Sequence, residues 1–194
     1  MGLLANLFGK KKSKVPTIAP AHPEQVAEST DIAAYNQAVQ LVAIGDSLKD
    51  ELTTKLQKAF SEPKLFYDEH DEYILAERGL MYPKHAKDTT KFVFIDTLIE
   101  KGQMAEVDWK AAEEDIRFGI AEIIKTKEYP VSFTVEDQFE EEDTYTVINL
   151  INQEELIPAG YALAILDIQS DCYVFTIIPL EQCEVVEAIF NQLT

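Results

Sequence analysis

Residues 161–178, YALAILDIQSDCYVFTII, decide the fold of this chain. Two runs of apolar, β-branched and aromatic residues, YALAILDI and YVFTII, are separated by the turn sequence QSDC. This arrangement predicts a β-hairpin. Because both faces of the two strands are apolar, either helices cover both sides of the hairpin or one face pairs with another subunit as a homodimer. We expect the hairpin to form the core of the sheet, with Ile165 and Phe175 buried.

Helical periodicity precedes the hairpin. In the segment 31–60 apolar residues recur every three or four positions, which predicts a helix pair or one kinked helix. Gly45, Asp46 and Ser47 mark the interruption, and Ser47 is expected to cap the second helix. The predicted buried positions are Ile32, Tyr35, Val39, Val42, Leu48, Leu52, Leu56 and Phe60.

Three further helices are predicted on either side of the hairpin. One begins at Thr89 or Thr90 and ends at Gly102. Another covers residues 145–156, and a last helix follows Pro179. The buried face of the last helix is predicted to consist of Val186, Ile189, Phe190 and Leu193.

Residues 104–109 favour a short strand that leads into one more helix. Asp108 is placed to cap that helix, and Lys125 and Lys127 complement its negative end. Its predicted buried face consists of Ala112, Ile116, Gly119, Ile120 and Ile123. Together these elements predict an α+β fold, with helices packed on a small, mainly antiparallel sheet that includes the C-terminal hairpin.

The chain is strongly acidic. Its 194 residues contain 35 Asp and Glu against 17 Lys and Arg, a formal net charge of −18 at pH 7. From Glu128 to Thr194 there are 14 acidic residues and no Lys, Arg or His. Because nucleic-acid binding requires Lys and Arg to neutralise phosphates, this composition argues against direct nucleic-acid binding. It favours a basic partner, with solubility alone as the alternative.

The first 14 residues have the opposite charge. They contain four lysines and no acid, and their apolar residues share one face at helical spacing. This pattern predicts a basic amphipathic tail that binds anionic membranes weakly and reversibly. The alternatives are a frayed start or docking on the acidic body of the same protein. The tail residues are Leu3, Leu4, Leu7, Phe8, Lys10, Lys11, Lys12 and Lys14.

A linker follows the tail, because Pro16, Pro20 and Pro23 oppose helix formation. No apolar run approaches the roughly 20 residues that span a bilayer, and the start lacks the features of a secretory signal. We therefore expect a cytoplasmic protein, in part peripheral at the inner face of the membrane. The expected organisation is tail 1–14, linker 15–30 and a single acidic α+β domain 31–194, with 31–60 as a helical lead-in.

Sequence motifs for catalysis or cofactor binding are not found in the chain. It contains no phosphate-binding loop, hydrolase elbow or zinc motif. The acidic residues around His70 match no closed zinc site, and Cys172 and Cys183 are expected to be reduced thiols. We therefore expect neither a metal nor a cofactor.

One constellation of residues is a candidate binding site. If the strand containing Asp108 pairs beside the hairpin, Asp108, Asp167 and Asp171 converge with Trp109 and Tyr173. Such a cluster forms either a cation site or a pocket for a basic side chain. The alternative is a helix cap plus turn-forming aspartates.

The run AEVDWK (105–110), the helix after it and the segment from Ala159 to Pro179, with its Gly-Tyr and Ser-Asp-Cys-Tyr motifs, resemble an uncharacterised bacterial domain family. The resemblance covers about residues 90–190. It implies a stand-alone bacterial cytoplasmic protein and carries no activity or functional residue.

These observations favour a non-enzymatic acidic binding protein that recognises a basic protein partner, in the manner of an immunity or inhibitor protein. A peripheral membrane adaptor that uses the tail is one alternative. An enzyme of unrecognised type with a carboxylate site is the other.

Overall fold

The predicted hairpin forms two of the three strands of an antiparallel sheet. Strand β1 (Ala105–Asp108) pairs with β3 (Cys172–Pro179), which also pairs with β2 (Tyr161–Leu166). The strand order is β1-β3-β2, so β3 is the central strand. Both the hairpin and the short strand that precedes it are confirmed.

The computed structural model describes residues 32–70, 78–86, 88–139 and 142–193. The predicted tail and linker lie outside the described residues. None of the helices in the described part combines the length and apolar character that crossing a membrane requires. The helices are α1 (Ile32–Val42), α2 (Asp46–Ser61), α3 (Pro63–His70), α4 (Asp88–Glu100), α5 (Glu113–Thr126), α6 (Thr144–Leu150), which continues as a π-helix (Ile151–Leu156), and α7 (Cys183–Leu193).

Helices cover both faces of β3, as the apolar hairpin predicts. Val174 and Ile178 pack on one face, in a core shared with α1, α2, α4 and α7. Phe175 and Ile177 pack on the other face, in a core shared with α5 and α6. All four side chains are fully shielded from solvent. Helices packed on a small antiparallel sheet confirm the predicted α+β fold.

The prediction that Ile165 is buried is wrong, because its exposed fraction is 38%. Ile165 lies opposite Phe175 on the edge strand β2. The helices on that face bury Leu163 and the central strand. They leave Ile165 partly uncovered at the outer edge of β2, which in the described part of the chain pairs with a strand on one side only.

Helices α1 and α2 confirm the predicted helix pair, which breaks at Gly45 with a φ of 97°, a conformation that favours glycine. The predicted cap at Ser47 is wrong, because α2 begins one residue earlier. Phe60 is 43% exposed and Ala59 is buried in its place. Each step of four residues rotates by about 40° around a helix, so three steps carry Phe60 about 120° away from Leu48.

For α4 the sequence predicts the C-terminal end correctly and the N-terminal cap wrongly. Helix α4 ends at Glu100, and Gly102 terminates it as predicted: its φ is 65°, and the Gln103 N–H donates to the Leu98 carbonyl at 2.8 Å. Thr89 and Thr90 were expected as caps, but they lie inside α4 and are buried. The predicted buried face of α7 is confirmed: Val186, Ile189, Phe190 and Leu193.

The prediction that Asp108 caps α5 is wrong, because α5 begins at Glu113. The Ala111 N–H donates to the Asp108 carbonyl at 2.9 Å and so forms a turn between β1 and α5. The Asp108 carboxylate accepts the Lys110 N–H within this turn, also at 2.9 Å. The helix predicted at 145–156 is confirmed as α6 and its π-helical continuation.

A buried arginine anchors α5 to the loop that follows it. Arg117 has no exposed surface and donates to the carboxylates of Glu113 at 2.6 Å and Glu155 at 2.8 Å. Glu113 also accepts the backbone N–H groups of Gln138 and Phe139. Burial disfavours the charged form of Glu113, but these hydrogen bonds outweigh burial and lower its pKa.

A buried lysine joins the end of α5 to the central strand. Lys127 lies at the C-terminal end of α5, as predicted, and is only 4% exposed. Its ammonium donates to the carbonyls of Val42 and Ile177 and to the Thr176 hydroxyl, at 2.8 to 2.9 Å. The β1–β3 register places Ile177 opposite residue 103, where β1 has not yet begun. Lys127 therefore takes the place of a missing strand partner.

The site of Lys127 predicts a pH dependence of stability. Burial lowers the pKa of Lys127 from 10.5 to about 7. Between these values the unfolded chain holds a proton that the folded chain has released, so stability rises with pH. The variant Lys127→Met lacks the titrating amino group, so this contribution to the pH dependence of stability is absent. The free energy of unfolding of the wild type, minus that of the variant, should therefore rise from pH 7 to pH 10 by at most about 1.4 kcal/mol per pH unit.

Urea denaturation at several pH values measures this difference. Lys125→Met is the control, because Lys125 is exposed on the same helix. Its difference from the wild type should stay flat over the same range. Parallel curves for the wild type and Lys127→Met would show that Lys127 stays protonated when buried.

The opposed pair Ile165 and Phe175 predicts unequal losses of stability. Phe175→Ala should lower the free energy of unfolding by about 3–5 kcal/mol, because it leaves a cavity in the core. Ile165→Ala removes a partly exposed side chain and should cost less than about 1.5 kcal/mol. Denaturant titration of both variants checks the ranking, and equal losses would contradict the assignment of Ile165 to an uncovered edge.

Candidate functional site: an acidic groove at the edge strand

Four of the five predicted site residues lie at one end of the β1–β3 pair. Asp108 is opposite Cys172, and Tyr173 is opposite Val107. The Trp109 N–H donates to the Asp171 carbonyl at 2.8 Å. The structure therefore places Asp108, Trp109, Asp171 and Tyr173 on neighbouring backbone.

The three predicted carboxylates do not form a cation site. Asp167 follows β2, on the opposite side of β3 from Asp108, so two strand spacings, roughly 10 Å, separate their backbones. Each accepts a local N–H instead: Asp167 from Gln169 at 2.7 Å and Asp108 from Lys110. Among the described residues, no three His, Cys, Asp or Glu side chains lie close enough to hold a metal ion.

The two predicted aromatic residues differ in exposure. Trp109 is half exposed, and the Lys110 ammonium lies 4.3 Å from the centre of its ring. Tyr173 is partly buried beside Tyr145, with 6.2 Å between ring centres. Trp109 is therefore the one of these two that a partner can reach.

Asp108 also lines a groove that the sequence did not reveal. The floor is β1, and the walls are the C-terminal end of α4 and one face of α5. The groove has a volume of about 810 Å³. Five carboxylates and one ammonium line it: Glu100, Glu106, Asp108, Asp115, Glu122 and Lys110.

An exposed aromatic residue completes the wall formed by α5. Asp115, Phe118 and Glu122 follow one another at helical spacing, and Phe118 is 66% exposed. Gly119 lets α5 approach β1, since a Cβ at this position would lie 3.0 Å from the Cβ of Ala105. The absence of a side chain at Gly119 therefore sets how closely α5 approaches β1 beside the groove.

Several of the groove carboxylates have basic neighbours. Arg78 binds Glu106 at 2.7 Å, pairs with Asp96 and stacks on Phe92 with 4.4 Å between its guanidinium carbon and the ring centre. Lys125 pairs with Glu122 at 3.1 Å, at the surface. Exposed pairs of this kind contribute little and exchange readily, so a cationic partner can compete for Glu122.

Sequence reasoning found Asp108 but missed Asp115, Phe118 and Glu122. It placed the buried face of α5 correctly at Ile116, Ile120 and Ile123, but wrongly at Ala112, which precedes the helix and is exposed. A large aromatic residue on the polar side of an amphipathic helix was the available signal.

The groove lies within the part of the chain that a family model matches. The model described as "Domain of unknown function (DUF6630)" matches residues 34–194. No curated protein and no solved structure matches the chain. The predicted membership of a domain family of unknown function is confirmed: the chain belongs to the DUF6630 family.

Proposed function

We propose that this protein is a non-enzymatic binding protein that recognises a basic protein partner through the acidic groove. The observation that carries the proposal is the joint presence of five carboxylates, an exposed aromatic residue and an edge strand in one groove. Inhibition of a cationic toxin or enzyme in the cytoplasm is the form of binding that this chemistry favours.

The charge of the whole protein supports this proposal. A net charge of −18 attracts basic proteins over distances of about a Debye length and accelerates their encounter. Charge contributes to association rate and specificity more than to affinity. The affinity therefore needs an apolar anchor, and Phe118, exposed between Asp115 and Glu122, meets this requirement.

The groove charge predicts a selective loss of partners. Asp115→Lys combined with Glu122→Lys should release basic proteins that the wild type retains from an extract of the native cell, because the reversal repels cations. Glu136→Lys combined with Glu184→Lys is the matched control, since it changes the net charge equally at exposed positions outside the groove. Affinity purification followed by mass spectrometry compares the three proteins.

The expected result is a basic protein captured by the wild type and the control and lost by the groove variant. If all three proteins capture the same partners, the groove is not the binding site. If the partners that depend on the groove are acidic, the proposal of a basic partner is wrong.

The N-terminal tail supports a second candidate function, reversible attachment to membranes. Four lysines follow the apolar residues Leu3, Leu4, Leu7 and Phe8, which suits binding to anionic lipid. This attachment would bring the acidic domain to the inner face of the membrane, where it could serve as a peripheral adaptor.

The tail predicts weak binding to anionic vesicles that decreases with salt. Leu7→Asp should abolish sedimentation with phosphatidylserine vesicles at low salt, because it puts a charge among the apolar groups. Ser13→Asp adds the same charge outside the apolar set and should retain most of the binding. If the wild type stays in the supernatant with anionic as with neutral vesicles, the membrane proposal is wrong.

A further inference from the structure

We infer that the acidic groove takes its basic partner as an extended segment that adds a fourth strand to the sheet along β1. This inference rests on the proposed function and specifies how the partner binds. Its support is the direction of the backbone groups of β1 together with the charge of the groove walls.

The register fixes which backbone groups of β1 are unpaired. The Trp109 N–H donates to Asp171, so this opposed pair is hydrogen-bonded. In an antiparallel ladder such pairs alternate, so Val107 and Ala105 also direct their backbone groups to β3. The N–H and C=O of Glu106 and the N–H of Asp108 therefore point away from β3, along the edge that lines the groove.

At the other edge of the sheet, on β2, a side chain pairs with an outward backbone group. By the same alternation, fixed by the Leu180 N–H donating to the Gly160 carbonyl, the N–H of Leu163 points outward from β2. The Asn152 side chain from the π-helix accepts it at 2.8 Å. In the described part of the chain β1 pairs with a strand on one side only. The acidic groove lies beside the β1 edge.

The charges on the walls of the groove determine which kind of strand can pair with β1. Side chains of an added strand alternate between the two faces of the sheet, so they reach the α5 wall and the α4 side in turn. Carboxylates lie on both sides. Asp115 and Glu122 are on the α5 wall, and on the α4 side are Glu100, which pairs with Lys101 at the surface, and Glu106, which pairs with Arg78. A strand with Lys or Arg is thus complemented on both faces. A second copy of β1 would bring Glu106 and Asp108 against the same acids and is disfavoured.

A pair of variants separates the backbone contribution from the charge. Glu106→Gln and Glu106→Pro both lose the carboxylate and its pairing with Arg78. Only the proline variant also loses the outward N–H. Proline is tolerated on a free strand edge, and Ala105 before it is already extended. The melting temperatures of the two variants establish that both are folded.

The probe is the synthetic peptide acetyl-Lys-Lys-Val-Lys-Lys-Val-Lys-amide, which carries lysines on both faces of an extended strand. It is titrated by calorimetry into the full-length protein. If strand addition occurs, the wild type binds the peptide, and Glu106→Pro binds at least about tenfold more weakly than Glu106→Gln. A peptide N-methylated at every residue has the same charges but no donors, and should not bind. A peptide N-methylated on alternate residues keeps the N–H groups along one of its two edges. It can pair with β1 through that edge and should bind.

Four results would overturn the inference. One is equal affinity of the proline and glutamine variants, and another is binding of the fully methylated peptide. In either case, loss of binding in the Asp115→Lys, Glu122→Lys variant would show that the groove still recognises basic segments, without strand addition. The third is a failure of the wild type to bind the peptide, and the fourth is a dimer that Glu106→Pro dissociates. The capture experiment above then decides the proposed function separately.

Discussion

The central strand β3 sets the requirements that the rest of the fold meets. Its side chains are buried on both faces, so helices have to pack on each side of the sheet. Its backbone is also buried, so each N–H and C=O needs a partner. Alternate residues of β3 hydrogen-bond to β2, and the residues between them hydrogen-bond to β1. Ile177 lies opposite a position before the start of β1, and its carbonyl accepts a hydrogen bond from the Lys127 side chain instead. A lysine is thus kept in the interior because a short neighbouring strand leaves a carbonyl unpaired.

A three-stranded sheet still has two outer edges, even when the backbone groups of its central strand are hydrogen-bonded. An open edge invites pairing with other chains, and proteins limit this by covering the edge or by charging it. Both solutions occur here, since Asn152 covers part of β2 and carboxylates surround β1. Under the proposed function, these carboxylates disfavour pairing with copies of the same chain and favour a cationic segment, so a single feature would act against self-association and for the partner.

The parts of this structure that follow from local periodicity could be predicted from the sequence. The hairpin and the buried face of α7 depend on patterns within a few residues of one another. The burial of Lys127 could not be predicted in this way, because its partner Val42 is 85 positions away in the chain. Arg117 is similar, since Glu155 is separated from it by 38 positions. The groove needs α4, β1 and α5 to meet, so the sequence indicated Asp108 as one member but not the site.

The close approach at Gly119 ties the shape of the groove to a single missing methyl group. A Cβ at this position would meet Ala105 on β1 and lie 3.8 Å from the ring of Phe175 in the core. An alanine there would require a shift of a few tenths of an ångström between β1 and the helix that carries Phe118. The same small residue therefore borders both the groove and the core.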